Sequence, residues 1–544
     1  MHDTTQDTNQ ETKILGLVSR WCPTTVPVTV VLLFAFFEFS SSSMPLILAH
    51  ESYGLAEELV VDESATHFVA VNGNDNGPGT SDRPWATINI AAERAKAGDT
   101  VVVRGGNYVL PAQVRPHNSG RSDAWISFIG YPGEKAILDA QLVPGSSLAQ
   151  GGLDNGAFQI EGVSYLRVID LTIVNSHDAG IAVRDSSNID LINNSTKGTF
   201  SSGIAVWNTN HGGTGTEQIR ILGNTIVRAT TWDFASLDVP RQREPPHESI
   251  SIGGAADFEI AYNHVYDSDK EGIDIKETSK RGKVHHNVVH GLGRQGIYVD
   301  AWFGEISDIE IFSNVIHDCQ GAGIVLSVEN GQSVESVNIH NNLVFNNDGS
   351  GLFFSRWGVD GMRRNIKIHN NVFYHNGYGP PRTGQTYYWL TGGIYLYSNN
   401  VRDITIRKNI FSENYGFQIG YSELFLNASQ SWEAVEREKN IQIAGNLIDG
   451  PNAVDSPIES GGYPGDRVKI YAVNGLRAIL NNPIFKDRAN QDFIQRRDSS
   501  VAGHILAEAS APESSPLWWK RGFPPRLFHI HFDRSALRFA PVRK

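Results

Sequence analysis

Residues 271–302 read EGIDIKETSKRGKVHHNVVHGLGRQGIYVDAW, and two short runs within them, GIDIK at 272 and GIYVD at 296, open on the same Gly-Ile pair. In each run apolar and polar side chains alternate. Ile273, Ile275, Ile297 and Val299 fall on one side, and Asp274, Lys276, Tyr298 and Asp300 on the other. A period of two is the signature of a strand with one buried side. Between the runs lies a strand of another kind, KVHHNVV, punctuated by Asn287.

Both phrases recur along the chain. The pattern apolar-x-apolar-x-x-Asn-apolar-apolar reads IRILGNTI, FEIAYNHV, IEIFSNVI, VNIHNNLV, IKIHNNVF, ITIRKNIF and IQIAGNLI, with Asn at 224, 263, 314, 342, 371, 409 and 446. The pattern Gly-apolar-x-apolar appears at 180, 203, 272, 296, 323, 351 and 393. Two short strands per repeat cannot bury their apolar sides alone, so successive repeats must stack. Stacking predicts an all-β fold, a right-handed parallel β-helix solenoid in which each phrase adds one strand per coil to its own sheet. The repeated Asn suits a turn ladder, because its amide bonds the amides of neighbouring coils and it tolerates a left-handed bend.

The open end of a solenoid needs a cap. Residues 67–108 read as strand, turn, helix and strand, the helix presenting Ile88, Ala91, Ala92 and Ala95, so an N-terminal capping helix is expected there. The expected division is a hydrophobic N-terminal segment over 1–50, cap and first coils over 66–145, and coils over 146–500, the last of them irregular at 482–500. A basic, Pro-containing tail follows over 510–544.

With 53 glycines and 40% apolar residues the chain reads as folded and rich in turns. Its formal net charge of −13 argues against nucleic acid or an anionic membrane as partner. Two cysteines, Cys22 and Cys319, make neither a disulfide framework nor a zinc site, and Cys319 reads as a small buried apolar side chain. Lys13 and Arg20 precede an apolar run, VPVTVVLLFAFFEF at 26–39, which is followed by serines. The run is shorter than the ~20 residues that span a bilayer, so it reads as a secretory signal, with an uncleaved anchor as the alternative. A monomer in a secreted, periplasmic or extracellular location is expected, with no stable membrane insertion of the mature chain.

Aligned on their glycines, the two opening runs put Lys276 beside Asp300 and Asp274 beside Tyr298, all pointing away from the core. Strand spacings of ~4.8 Å and a rise of ~3.3 Å per residue place the four within roughly 10 Å. The preceding coil adds His247 and Glu248, the latter level with Glu271; later coils add Glu329, Arg356 and Trp357, and Trp302 follows the second run. Exposed aromatics Tyr298, Trp302 and Trp357 along such a strip suit stacking on sugar rings.

The cap phrase VNGNDNGPGTSDRPWATINIAAERAKAGDTVVVRGGNY and the Asn-punctuated coils resemble the pectin-lyase-like right-handed β-helix superfamily. Within it they resemble especially the secreted calcium-dependent pectate lyases of polysaccharide lyase family nine and their alginate-lyase-like relatives. In that family the calcium site resembles Asp-Asp-Gly-x-Asp plus an acid from the coil before. Here the phrase is Lys270-Glu271-Gly272-Ile273-Asp274, so the resemblance implies Ca2+ on Glu248, Glu271 and Asp274, with Lys270 where the family has an acid. It implies as partner a polysaccharide, an acidic one, cleaved by β-elimination. A lyase removes the proton at C5 and expels the oxygen at C4, which needs a cation against the substrate carboxylate and a base near the proton.

Lys276 is the first expected base, with Tyr298, Arg294 and Asp300 as the other catalytic candidates. Pairing with Asp300 would oppose that role by raising the lysine pKa. His247, Trp302, Glu329, Arg356 and Trp357 are the expected substrate contacts. Two other classes stay open: a glycoside hydrolase using Asp274 and Asp300, whose Cα separation of ~8 Å follows from the sheet spacings, and a noncatalytic carbohydrate-binding or adhesion solenoid.

Overall fold

The computed structural model describes residues 57–60, 66–145, 155–211, 215–231, 233, 245–379, 391–422 and 432–449, with short strands at 468–470, 485–487, 492–495 and 528–531. Three long sheets run side by side along one axis. One has eleven strands, one thirteen and one twelve, and successive coils add a parallel strand to each; only the end strand of the eleven, Val468–Ile470, pairs antiparallel. Gly-apolar phrases form the first sheet, which includes Ile250–Gly253, Ile273–Lys276, Ile297–Ala301, Ile324–Val328 and Leu352–Phe354. Asn-bearing phrases supply the second sheet before the Asn and the third after it, as in Glu305–Phe312 and Val315–His317 around Asn314. Isoleucine, leucine, valine and phenylalanine from all three fill one continuous interior column. The helix Ile88–Arg94 packs Ile88, Ala91 and Ala92 on that column, and Ala95 follows them in, as the sequence predicts.

The asparagines form a buried chain of amides from Asn194 to Asn446. Asn314 Oδ1 accepts from the Asn287 N–H at 3.0 Å and from its Nδ2 at 2.9 Å, while Asn314 Nδ2 donates to the Asn342 Oδ1 and the Val284 carbonyl, each at 2.9 Å. The left-handed bend falls one residue earlier than expected. Positive φ belongs to the residues before the ladder, such as Tyr262, His286, Ser313, Asn341 and Asn370. The ladder amide, one residue on, bonds from coil to coil. A second ladder, Asn347, Asn376, Asn414 and Gln418, closes the next turn.

Outside the core, histidines stack on the sheet surfaces. His290 lies flat on His317, with centroids 4.8 Å apart, and His340 on His369 at 5.0 Å. Burial pushes the imidazolium form down, to about 3 for His264 and about 4 for His286, His290 and His369, and neighbouring histidines add to the shift. Unfolded histidine titrates near ~6.5. The unfolded chain therefore takes up protons first, and the stability present above that pH is lost as pH falls toward about 4. Melting temperature measured across this window should fall steadily, and His290→Asn should flatten the fall.

Other expectations meet the structure unevenly. Cys319 is buried, and burial raises its thiol pKa. Phe485–Asp487 and Asp492–Gln495 pair antiparallel, so a hairpin stands where an irregular coil is expected. Phe528–His531, from the expected tail, pairs in parallel with Glu57–Val60. The apolar segment at 26–39 lies outside the described residues, among which no helix is long and apolar enough to cross a membrane.

Candidate active site

The register of the opening runs is as predicted: Asp274 pairs with Tyr298 and Lys276 with Asp300, while Ser251 and Gly253 precede them in the same two columns. Their burial is not as predicted. The outward side of this sheet is itself covered, so Asp274 is 0% exposed, and Glu248, Glu271, Tyr298 and Asp300 are all buried. Tyr298 packs with Ala322, Val325, Phe353, Tyr395, Tyr397 and Phe417 in an apolar cluster outside the sheet, against which Trp357 leans. Alternation tells which side of a strand a residue takes, but it cannot tell that the outer side carries an aromatic layer of its own.

Within this layer the charges arrange around Lys276. Its ammonium donates to Glu248 Oε1 at 3.1 Å and Oε2 at 3.3 Å, and lies 3.3 Å from Asp274 Oδ2. The lysine thus turns to Glu248 and Asp274 and not to its rung partner Asp300. Ser251 donates to Glu248 Oε2 at 2.8 Å. Burial alone would lower the Lys276 pKa, but Glu248, Asp274 and Asp300 outweigh it and hold it well above the ordinary value. A base needs the opposite, so the geometry makes Lys276 a fixed cation. Burial also disfavours the Glu248 carboxylate, yet Lys276, Lys270 and His247 hold its pKa well below the usual range.

The remaining carboxyls go the other way. Burial, with Glu248 adding repulsion, drives Asp274 well above its ordinary pKa; burial and Glu329 do the same to Asp300. Burial raises Glu271 too. Glu271 Oε2, both oxygens of Asp274, Glu277 Oε2 and Asp300 Oδ1 accept no hydrogen bond. Glu277 is the residue that sequence reasoning missed. It sits one position past the strand, beside Trp207 over Gly253, where an added Cβ would come 2.4 Å from the indole and 2.9 Å from Glu277 Cγ. Burial raises its pKa to about 7. The only signal in the sequence was its place directly after Lys276.

The expected substrate contacts divide by exposure. Trp302 is 38% exposed and its neighbour Phe303 48%, with the Phe303 ring 3.9 Å from that of His211. Together they form an aromatic rim at the end of the strands that carries Lys276, Glu277 and Asp300. Arg294, partly exposed at the other end of the strand, reaches Glu271 Oε1 at 3.5 Å. Arg356 is exposed beside Asp360 at 3.8 Å. Glu329 accepts from the Tyr298 hydroxyl, and His247 leans on Trp207 with ring centroids 4.6 Å apart.

Calcium takes six to eight oxygens. Glu248, Glu271 and Asp274 do not fit that demand as they stand. The Lys276 ammonium occupies the space between Glu248 and Asp274, Arg294 takes Glu271, and among the described residues no three acidic, histidine or cysteine side chains converge as a metal set.

The family model for a right-handed β-helix region matches residues 156–334 and 330–448, more than half the chain. The chain belongs to this right-handed β-helix family. A narrower model, the Pel9A-like right-handed β-helix region, matches residues 67–236. Two curated relatives are similar to this right-handed β-helix protein. YwoF of Bacillus subtilis, an uncharacterised protein, is 26% identical over 79% of this chain and 91% of its own length. Pectate lyase PEL9 of Emericella nidulans is 31% identical over 26% of this chain and 35% of its own. Among solved structures, XylC in complex with xylose is 16% identical with TM-score 0.40, covering 72% of this chain and 87% of that one. Pectate lyase Pel9A is 13% identical with TM-score 0.41, covering 58% and 79%.

Proposed function

We propose that this β-helix protein is an exported, monomeric enzyme that cleaves an acidic polysaccharide by β-elimination at the Lys276 face. The observation that supports it most is the charge balance. Lys276, Lys270 and His247 hold the Glu248 carboxylate ionised, Arg294 stands against Glu271, and burial favours the protonated forms of Asp274 and Asp300. A site of this kind attracts an anion despite its many acidic residues. The partial likeness to a pectate lyase over 145 residues points the same way.

In this reading the carboxylate of the scissile uronate faces the Lys276 ammonium, whose charge stabilises the developing enolate in a setting with little water. Glu277, half ionised near neutrality, removes the C5 proton. The C4–O bond then breaks, a double bond forms between C4 and C5, and protonated Asp300 gives its proton to the departing oxygen. Arg294 and Arg356 hold neighbouring acid groups, and Trp302 and Phe303 stack on sugar rings. Tyr298, tied to Glu329, positions the floor.

Ultraviolet absorbance of unsaturated ends, followed on polygalacturonate, alginate and glycosaminoglycans, tests this. A rise on at least one of them is expected, with Arg294→Ala raising KM several-fold. A flat trace on all three removes the elimination reading for these substrates. Hydrolysis is the second reading, favoured by the opposed ionisation of Glu248 and the Asp274/Asp300 pair, because acid and base roles follow carboxyls whose pKa values are driven apart. New reducing ends without absorbance would support it.

A further inference from the structure

We propose that the Lys276 ammonium is the resident cation of this face, standing where a related site would hold calcium, and that the protein neither needs nor binds calcium there. The inference rests on the proposed site but not on which bond is broken there.

Three arrangements carry it. First, the ammonium is coordinated as a small cation would be, by both oxygens of Glu248 at 3.1 and 3.3 Å and by Asp274 Oδ2 at 3.3 Å. A divalent ion entering between those carboxylates would meet a fixed positive charge at contact distance. Second, Lys276 is held in place from outside: its ammonium lies 5.9 Å from the centroid of the buried Trp207 ring, and Ser251 fixes the Glu248 oxygen that it shares. Moving the lysine aside would strand Glu248 as a buried charge. Third, the next carboxylate a metal would recruit, Glu271, is itself faced by cations, although its Oε2 accepts no hydrogen bond. Glu271 meets Arg294 at 3.5 Å, and Lys270 stands beside it in sequence.

The sequence carries this substitution in two residues. Lys270 replaces an acid of the calcium phrase, and Lys276 enters two positions after its last acid. A tethered cation is always present and costs no binding equilibrium, so activity should not depend on the calcium supply.

Calorimetric titration of the full chain with calcium chloride, without substrate, reads the inference directly. No saturable one-per-chain binding is expected, and the melting temperature should be the same in calcium and in chelator. One-site binding that disappears in Asp274→Asn would overturn it. Lys276→Ala supplies the converse, since removal of the ammonium frees the Glu248 and Asp274 oxygens. Calcium should then raise the melting temperature of the variant and leave the parent unmoved; no gain of calcium response in a folded Lys276→Ala would contradict the exchange of one cation for another. Should that variant not fold, the titration of the parent still decides. Failure of the cleavage reading would leave these binding results as they are, so the two are separable.

Discussion

Glu277→Gln is expected to lower kcat by about a hundred- to ten-thousand-fold, the range that removal of a positioned general base produces, while KM changes little. The amide keeps the shape of the carboxyl, so packing over Gly253 and beside Trp207 is retained and the melting temperature should hold. It cannot accept the C5 proton. A merely structural Glu277 would give the reverse pattern, with stability lost and kcat kept. The pH profile separates the two further. Because burial raises the Glu277 pKa to about 7, the rate of the parent should climb through neutrality as the carboxylate forms, and that limb should vanish in the variant. An unchanged profile would remove Glu277 from the mechanism.

Asn314→Ala is the largest expected loss of stability. The substitution takes the acceptor from the Asn287 N–H and the Asn314 Nδ2 donor from the Val284 carbonyl, and removes one of two partners each from Asn287 Nδ2, which keeps the Ile260 carbonyl, and Asn342 Oδ1, which keeps the backbone N–H of residue 314, in a part of the molecule that water does not reach. Each buried polar group left without a partner costs about 1–3 kcal/mol. With some relaxation of the coil, a total of roughly 3–5 kcal/mol follows from that range. Chemical denaturation measures it, and Asn341→Gly is the control. That neighbour is exposed and has a φ of 56°, which glycine adopts freely, so its replacement should change stability little. Equal losses at both positions would show that the bend, and not the amide chain, holds the coils in register.

Much of the scaffold was legible because a solenoid repeats its own solution. Period-two alternation in GIDIK and GIYVD determined which residues pair across the rung, and the Asn phrase determined where the second sheet ends and the third begins. The second ladder was in the sequence too, since Asn347, Asn376 and Asn414 each follow a first-ladder Asn by five residues, but the aligned phrase stopped two residues past the first Asn and never reached them. The site was legible as a list of neighbours and not as an environment. Rung partners gave Lys276 beside Asp300, but the side chain turns to Glu248, a carboxylate from the coil before that the rung register does not pair with it. Tyr298 read as an exposed aromatic, whereas Phe353, Tyr395 and Phe417 cover it from later coils; that cover is a tertiary fact, spread over some hundred residues of sequence. Glu277 lay just beyond the alternating run, where the pattern stops assigning sides.

The most direct test of the account is the product formed from a uronate polysaccharide in heavy-oxygen water, analysed by mass. Elimination predicts an unsaturated fragment that has taken up no oxygen from solvent, formed equally well in chelator and lost in Glu277→Gln. A saturated fragment carrying solvent oxygen at its new end would contradict the elimination at the Lys276 face.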